Sequence, residues 1–149
     1  MSVAMMGAGG RMFALIALLA VVGIVVSSVS LYHHYQTSKT TYCDFGENFN
    51  CDIVNRSTYS TILGIPDALI GILGYTALLA FATVYRTKSE TPFILLAGSV
   101  FGLGFALYLT YIEAFVLATW CILCLSSLTM IFLITVFSSV LAAKSRRRA

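Results

Sequence analysis

Residues 12–38 read MFALIALLAVVGIVVSSVSLYHHYQTS, 27 positions without a single Asp, Glu, Lys or Arg. About 20 apolar residues suffice for a helix to cross roughly 30 Å of hydrocarbon, so the stretch Met12 to Tyr35 predicts a membrane-spanning helix. Arg11, the apolar run and the small residues Ser27, Ser28 and Ser30 also suit a cleaved signal peptide. The run continues through Leu31, however, and closes on Tyr32 and Tyr35, an aromatic pair suited to the membrane–water interface. The whole chain agrees with its opening stretch. Of 149 residues, 59% are hydrophobic and 10% charged, and the mean hydropathy is +0.92. A soluble domain carries about 25% charged residues, so this composition excludes an ordinary soluble enzyme. A net charge of +3 without a basic stripe also excludes a disordered chain and a nucleic-acid binder.

Three more uncharged runs follow: Ala68 to Tyr85, Thr91 to Ile112 and Ala114 to Ala143. Pro66-Asp67 and Thr91-Pro92 suit first turns, where a missing N–H costs nothing and an acid meets the positive helix end. The expectation is an all-α integral membrane protein, a single four-transmembrane-helix bundle with helices at about 12–35, 66–86, 91–113 and 121–142. An exterior loop, 36–65, joins the first two. Arg11, Arg86, Lys88, Lys144, Arg146, Arg147 and Arg148 fall on one side, and only Lys39 and Arg56 on the other. Basic residues in short loops stay in the cytoplasm, so both termini are expected there, with the Lys-Ser-Arg-Arg-Arg tail as an anchor.

That orientation places all four cysteines on the exterior, oxidising side. Cys43 and Cys51 lie in the loop, and Cys121-Ile122-Leu123-Cys124 opens the last helix. A thiol at a helix start meets unpaired N–H groups and the positive dipole end, the setting that favours the nucleophilic thiolate. Cys124, one turn deeper, is at hydrocarbon depth, within reach of a lipid-dissolved quinone. Thiol–disulfide exchange requires direct attack of sulfur on sulfur, so a loop pair that swings onto an embedded pair forms a relay. Static disulfide staples in a non-enzymatic four-span scaffold remain the bland alternative. A zinc site fits poorly, because structural zinc favours two short-spaced cysteine pairs, so no metal is expected.

The residues also resemble the vitamin K epoxide reductase family, in its bacterial and archaeal form that supports disulfide-bond formation. The resemblance rests on Cys43-x7-Cys51-Asp52 with Ser57, on Leu63-Gly64-Ile65-Pro66 with Gly71 and Tyr75, and on Tyr111-Ile112-Glu113-Ala114-Phe115-Val116-Leu117 ahead of the Cys-x-x-Cys. It implies a four-helix bundle around a quinone, capped by a short helix in the first loop. Cys121 and Cys124 would be the pair facing the quinone, of menaquinone, ubiquinone or vitamin K type. Cys43 and Cys51 would be the shuttle exchanging with a separate thioredoxin-fold, DsbA-like partner, since no thioredoxin-like extension follows the fourth helix. Of the inner pair, Cys121 is expected to take the attack as the more exposed thiol. Ser57, Ser60, Phe115 and Leu128 are expected at the pocket. Animal members have Tyr where this chain has Leu128 and Asn where it has Ser60, so plain quinone reduction is expected rather than epoxide reduction. A DsbB-type oxidoreductase shares the logic but carries its two cysteine pairs in the reverse order.

Glu113 is an exterior anchor or a proton-handling or positioning group beside the Cys-x-x-Cys. His33 and His34 are read as interfacial residues. Gly98-x3-Gly102 and Gly71-x2-Gly74 are read as faces for close helix packing.

Overall fold

The computed structural model describes residues 7–36 and 48–148; Cys43 lies outside them. In chain order the elements are α1 (Ala8–Tyr35), α2 (Cys51–Arg56), a 3-10 turn (Thr58–Ser60), the hairpin strands β1 (Thr61–Ile62) and β2 (Ile65–Pro66), α3 (Asp67–Thr83), α4 (Thr91–Ile112), a π-helical turn (Glu113–Leu117) and α5 (Ile122–Arg148). Among the described residues, Gly9–Tyr35, Thr91–Leu117 and Ile122–Arg148 are long and apolar enough to cross a membrane, whereas α3 is apolar but has 17 residues. At 1.5 Å per residue α3 extends about 26 Å.

Apolar faces pack these helices into a closed ring: α1 lies against α3 and α5, and α4 lies against α5 and, less extensively, α3. Ile16 and Ala20 of α1, Tyr75 and Leu78 of α3, Leu95 of α4 and Ile134 of α5 meet in the shared core. Gly23 sets the spacing of α1 and α3, because a Cβ there would sit 2.5 Å from the Tyr75 ring. The Tyr75 hydroxyl is in turn held by Ser127 of α5, donating to its carbonyl at 2.8 Å. Of the glycines expected at packing faces, Gly71 and Gly102 lie tight against Ser27 and Ile131 and Gly98 in ordinary contact with Leu78, whereas Gly74 meets nothing within 4 Å.

Several boundaries move. α5 runs on to Arg148, beyond the expected end at 142, since Ala143 to Arg148 holds no Gly or Pro to break it. α4 gives way at Glu113 to the π turn, which ends on Ala118 in the left-handed region at φ 50° and ψ 32°. The loop 36–65 is more structured than a plain connection. Its hairpin reverses through Leu63 and Gly64, at φ 53° and 81°, with Ile62 opposite Ile65, the two positive φ values of a tight hairpin turn.

Candidate functional site

The segment before α2 is tied by its backbone to the residue before the Cys-x-x-Cys. Asn50 N–H donates to the Trp120 carbonyl at 3.0 Å and Trp120 N–H donates to the Asn48 carbonyl at 2.8 Å, a parallel bridge between Phe49 and Trp120. Asn50 then caps α2, its Oδ1 accepting from the N–H groups of Asp52 and Ile53 at 3.0 and 3.3 Å. An Asn cap satisfies N–H groups that the first helical turn leaves unpaired. Cys51 therefore follows the bridge on one strand and Cys121 follows it on the other. Both are buried, and with Val54 they form an apolar cluster bordered by Leu117, Leu123 and Cys124.

Within this cluster Cys51 is disulfide-bonded, while Cys121 and Cys124 carry free thiols. The expected order of exposure is reversed. Cys121 is 0% exposed and Cys124 is the half-buried one, because α2 sits on Cys121. Cys121 meets the loop through the buried cluster that it shares with Cys51.

The π turn aims Glu113 back at this pair. Its Oε2 accepts from the Cys121 N–H at 3.1 Å, and its carboxyl group is in looser polar contact with the Cys124 thiol. Glu113 is 1% exposed, which removes the exterior-anchor reading, and its Oε1 has no hydrogen-bond partner among the described residues. Single-turn π segments are common at functional sites. A model of the vitamin K epoxide reductase family matches residues 14–139. The chain belongs to that family.

Membership makes this vitamin K epoxide reductase family protein a membrane oxidoreductase, and the cluster of Cys51, Val54 and Cys121 is its candidate site. Beside that cluster lies a small cavity lined by Ser57, Ser60, Asp67 and Glu113 with apolar neighbours such as Ile112 and Leu117. Ser57 and Ser60 are thus brought to Glu113, but their hydroxyl hydrogens point elsewhere. Ser57 donates to the Val54 carbonyl at 2.8 Å, and Ser60 to the carbonyls of Asn55 and Ser57 at 2.8 and 2.7 Å. Phe115 is 76% exposed on the π turn, and neither it nor Leu128 lines the cavity.

Sequence reasoning missed the residues that fasten α2 to the bundle. Ser30 of α1 donates to Asn55 Oδ1 at 2.7 Å, and His34 Nδ1 meets the Asn55 carbonyl at 2.5 Å and the Ser60 hydroxyl at 3.3 Å. His33, in the same turn of α1, is buried. The signal was present in the sequence: Ser30, His33 and His34 fall within about one turn of a helix otherwise apolar, and such a polar stripe must face protein rather than lipid.

Proposed function

We propose that this protein is a membrane thiol:quinone oxidoreductase that reoxidises a thioredoxin-fold, DsbA-like partner and so supports disulfide-bond formation. The observation that carries the reading is the burial of Cys51 against Cys121, held by the Phe49–Trp120 backbone bridge. In this reading Cys43 is the disulfide partner of Cys51. A partner dithiol reduces that bridge, the loop dithiol reduces the Cys121–Cys124 disulfide, and the Cys121/Cys124 dithiol delivers two electrons onward. A quinone supplies the final acceptor, taking up two electrons and two protons.

Cys121 takes the attack of the loop thiol, and half-buried Cys124, one turn deeper, faces the acceptor arriving from the bilayer. Glu113 holds the Cys121 backbone and accepts the proton that the Cys124 thiol loses. The cavity is far smaller than the roughly 300–1,000 Å³ of small-molecule sites, so the acceptor docks outside it, and Ser57 and Ser60 shape it rather than donate into it. In this topology α3 is the fourth span, the termini are cytoplasmic and the cysteines lie outside. The test is anaerobic incubation of the purified protein with a quinone and a dithiol, following quinone absorbance. Turnover that is lost in Cys124→Ala supports the assignment; absence of turnover in the wild type, or unchanged turnover in Cys124→Ala, overturns it in favour of a structural scaffold.

A further inference from the structure

Reduction of a quinone by a dithiol forms one disulfide and one quinol: two electrons pass from the thiols to the quinone, two thiol protons are released, and the quinol oxygens take up two protons from their surroundings. Each thiol must lose its proton before its sulfur can react, and the site lies inside an apolar cluster. Protons therefore need a polar path that electrons do not. Glu113 is the inner end of such a path, and the polar groups beyond it take no part in the thiol relay.

Glu113 is buried, bonded through Oε2 to the Cys121 N–H, and its Oε1 has no hydrogen-bond partner among the described residues. The same residue lines the cavity, and across that space stands Asp67, the first residue of α3. The two carboxyl groups are close enough to interact electrostatically. Asp67 is half-buried, so it touches the outside as well as the cavity. Asp67 is also within electrostatic reach of the half-buried His34 of α1, whose ring meets the Ser60 hydroxyl. Titratable groups thus face Asp67 from α1 and from the π turn. The space is narrow, with room for about one water, and the carboxyl groups of Asp67 and Glu113 with the serine oxygens supply the two to four polar partners that water needs. The serine hydroxyl hydrogens are committed to backbone carbonyls, which leaves the two carboxyl groups to exchange protons with that space.

We propose that Asp67 and Glu113 form a two-carboxylate proton relay across the cavity, with His34 as its outer station, connecting the exterior face to the Cys121/Cys124 thiols. This rests on the thiol:quinone reading and adds to it a path for protons separate from the sulfur-to-sulfur path for electrons. Asp67 touches neither thiol; it acts through Glu113.

The test compares wild type, Asp67→Asn and Asp67→Glu as full-length protein in liposomes, with two readouts. The first is the rate of quinone reduction by pre-reduced protein across pH 5 to 9, with its solvent deuterium isotope effect. The second is the rate at which a dithiol reduces the oxidised protein without quinone, followed by thiol alkylation. General acid–base groups contribute about 10²–10⁴-fold, and loss of one relay member that water partly replaces is expected to slow the first readout of Asp67→Asn by about tenfold. Its pH profile shifts, its isotope effect rises, its quinone KM stays unchanged, and Asp67→Glu restores the rate. The second readout stays at the wild-type value. An unchanged pH profile in Asp67→Asn, a raised KM without loss of rate, or equal loss in both readouts overturns the relay. A wild type that exchanges thiols but never reduces quinone overturns the underlying function instead.

Discussion

The reach of the loop cysteine to the inner pair depends on one short helix, and Asn50→Ala tests that dependence. α2 has six residues, far below the ~12–15 at which an isolated helix becomes marginally stable in water. It persists because Cys51 and Val54 are buried, Asn55 is fastened to α1, and Asn50 Oδ1 satisfies two N–H groups of the first turn. Removing an Asn cap costs about 1 kcal/mol. At tenfold per 1.4 kcal/mol, that lowers the ratio of docked to undocked Cys51 by about fivefold. Electron transfer from the loop to the Cys121–Cys124 disulfide should then slow by up to that factor, while direct reduction of the inner pair by a small dithiol is spared. The chain has one tryptophan, Trp120, placed in the bridge next to Cys121, so stopped-flow tryptophan fluorescence reports the step at the site itself. Asn50→Asp and Asn50→Ser, which keep a capping oxygen, should transfer near the wild-type rate. Transfer in Asn50→Ala at the wild-type rate, or equal slowing in Asn50→Ser, would refute the idea that the cap controls docking.

Further outcomes follow from the same geometry. Glu113→Gln keeps an oxygen for the Cys121 N–H but cannot take a proton, so quinone reduction should fall by about 10²-fold with little change in thermal unfolding; full activity would leave Glu113 as a positioning residue only. Gly23→Ala places a methyl group 2.5 Å from the Tyr75 ring, and Tyr75 is held by Ser127, so overpacking should cost about 1–3 kcal/mol, visible as a lower unfolding midpoint in detergent. Leu63 is 98% exposed at φ 53°, a backbone conformation that costs an ordinary residue roughly 1–2 kcal/mol; Leu63→Asn should raise the unfolding midpoint, and a lowered midpoint would show that the leucine side chain has a role in packing.

Much of the architecture was legible in charge spacing. The uncharged runs locate α1, α4 and α5, and Pro66 and Pro92 mark helix starts, because a buried charge is costly in lipid and a missing N–H costs nothing in a first turn. The loop was less legible. Its helix, 3-10 turn and hairpin are two to six residues long, too short for any hydrophobic period to register. The cysteines were found by their spacing, but their relative burial was inverted, since Cys121 is covered by α2, a segment some 70 positions away in the chain. Asn55, His34 and Asp67 carry no local motif. They matter only because α1, α2 and α3 end at the same place.

By itself, then, the sequence determined that the chain lives in a membrane, that four thiols lie in two groups, and that one group opens a helix. These are properties of composition and spacing, and the energetic cost of placing charge in hydrocarbon enforces them on any fold the chain adopts. Only the tertiary structure decided which thiol touches which. The Phe49–Trp120 bridge, the Asn50 cap and the π turn that swings Glu113 onto Cys121 are pairings between distant segments. Their geometry depends on ångström-scale backbone register, which no one-dimensional pattern encodes.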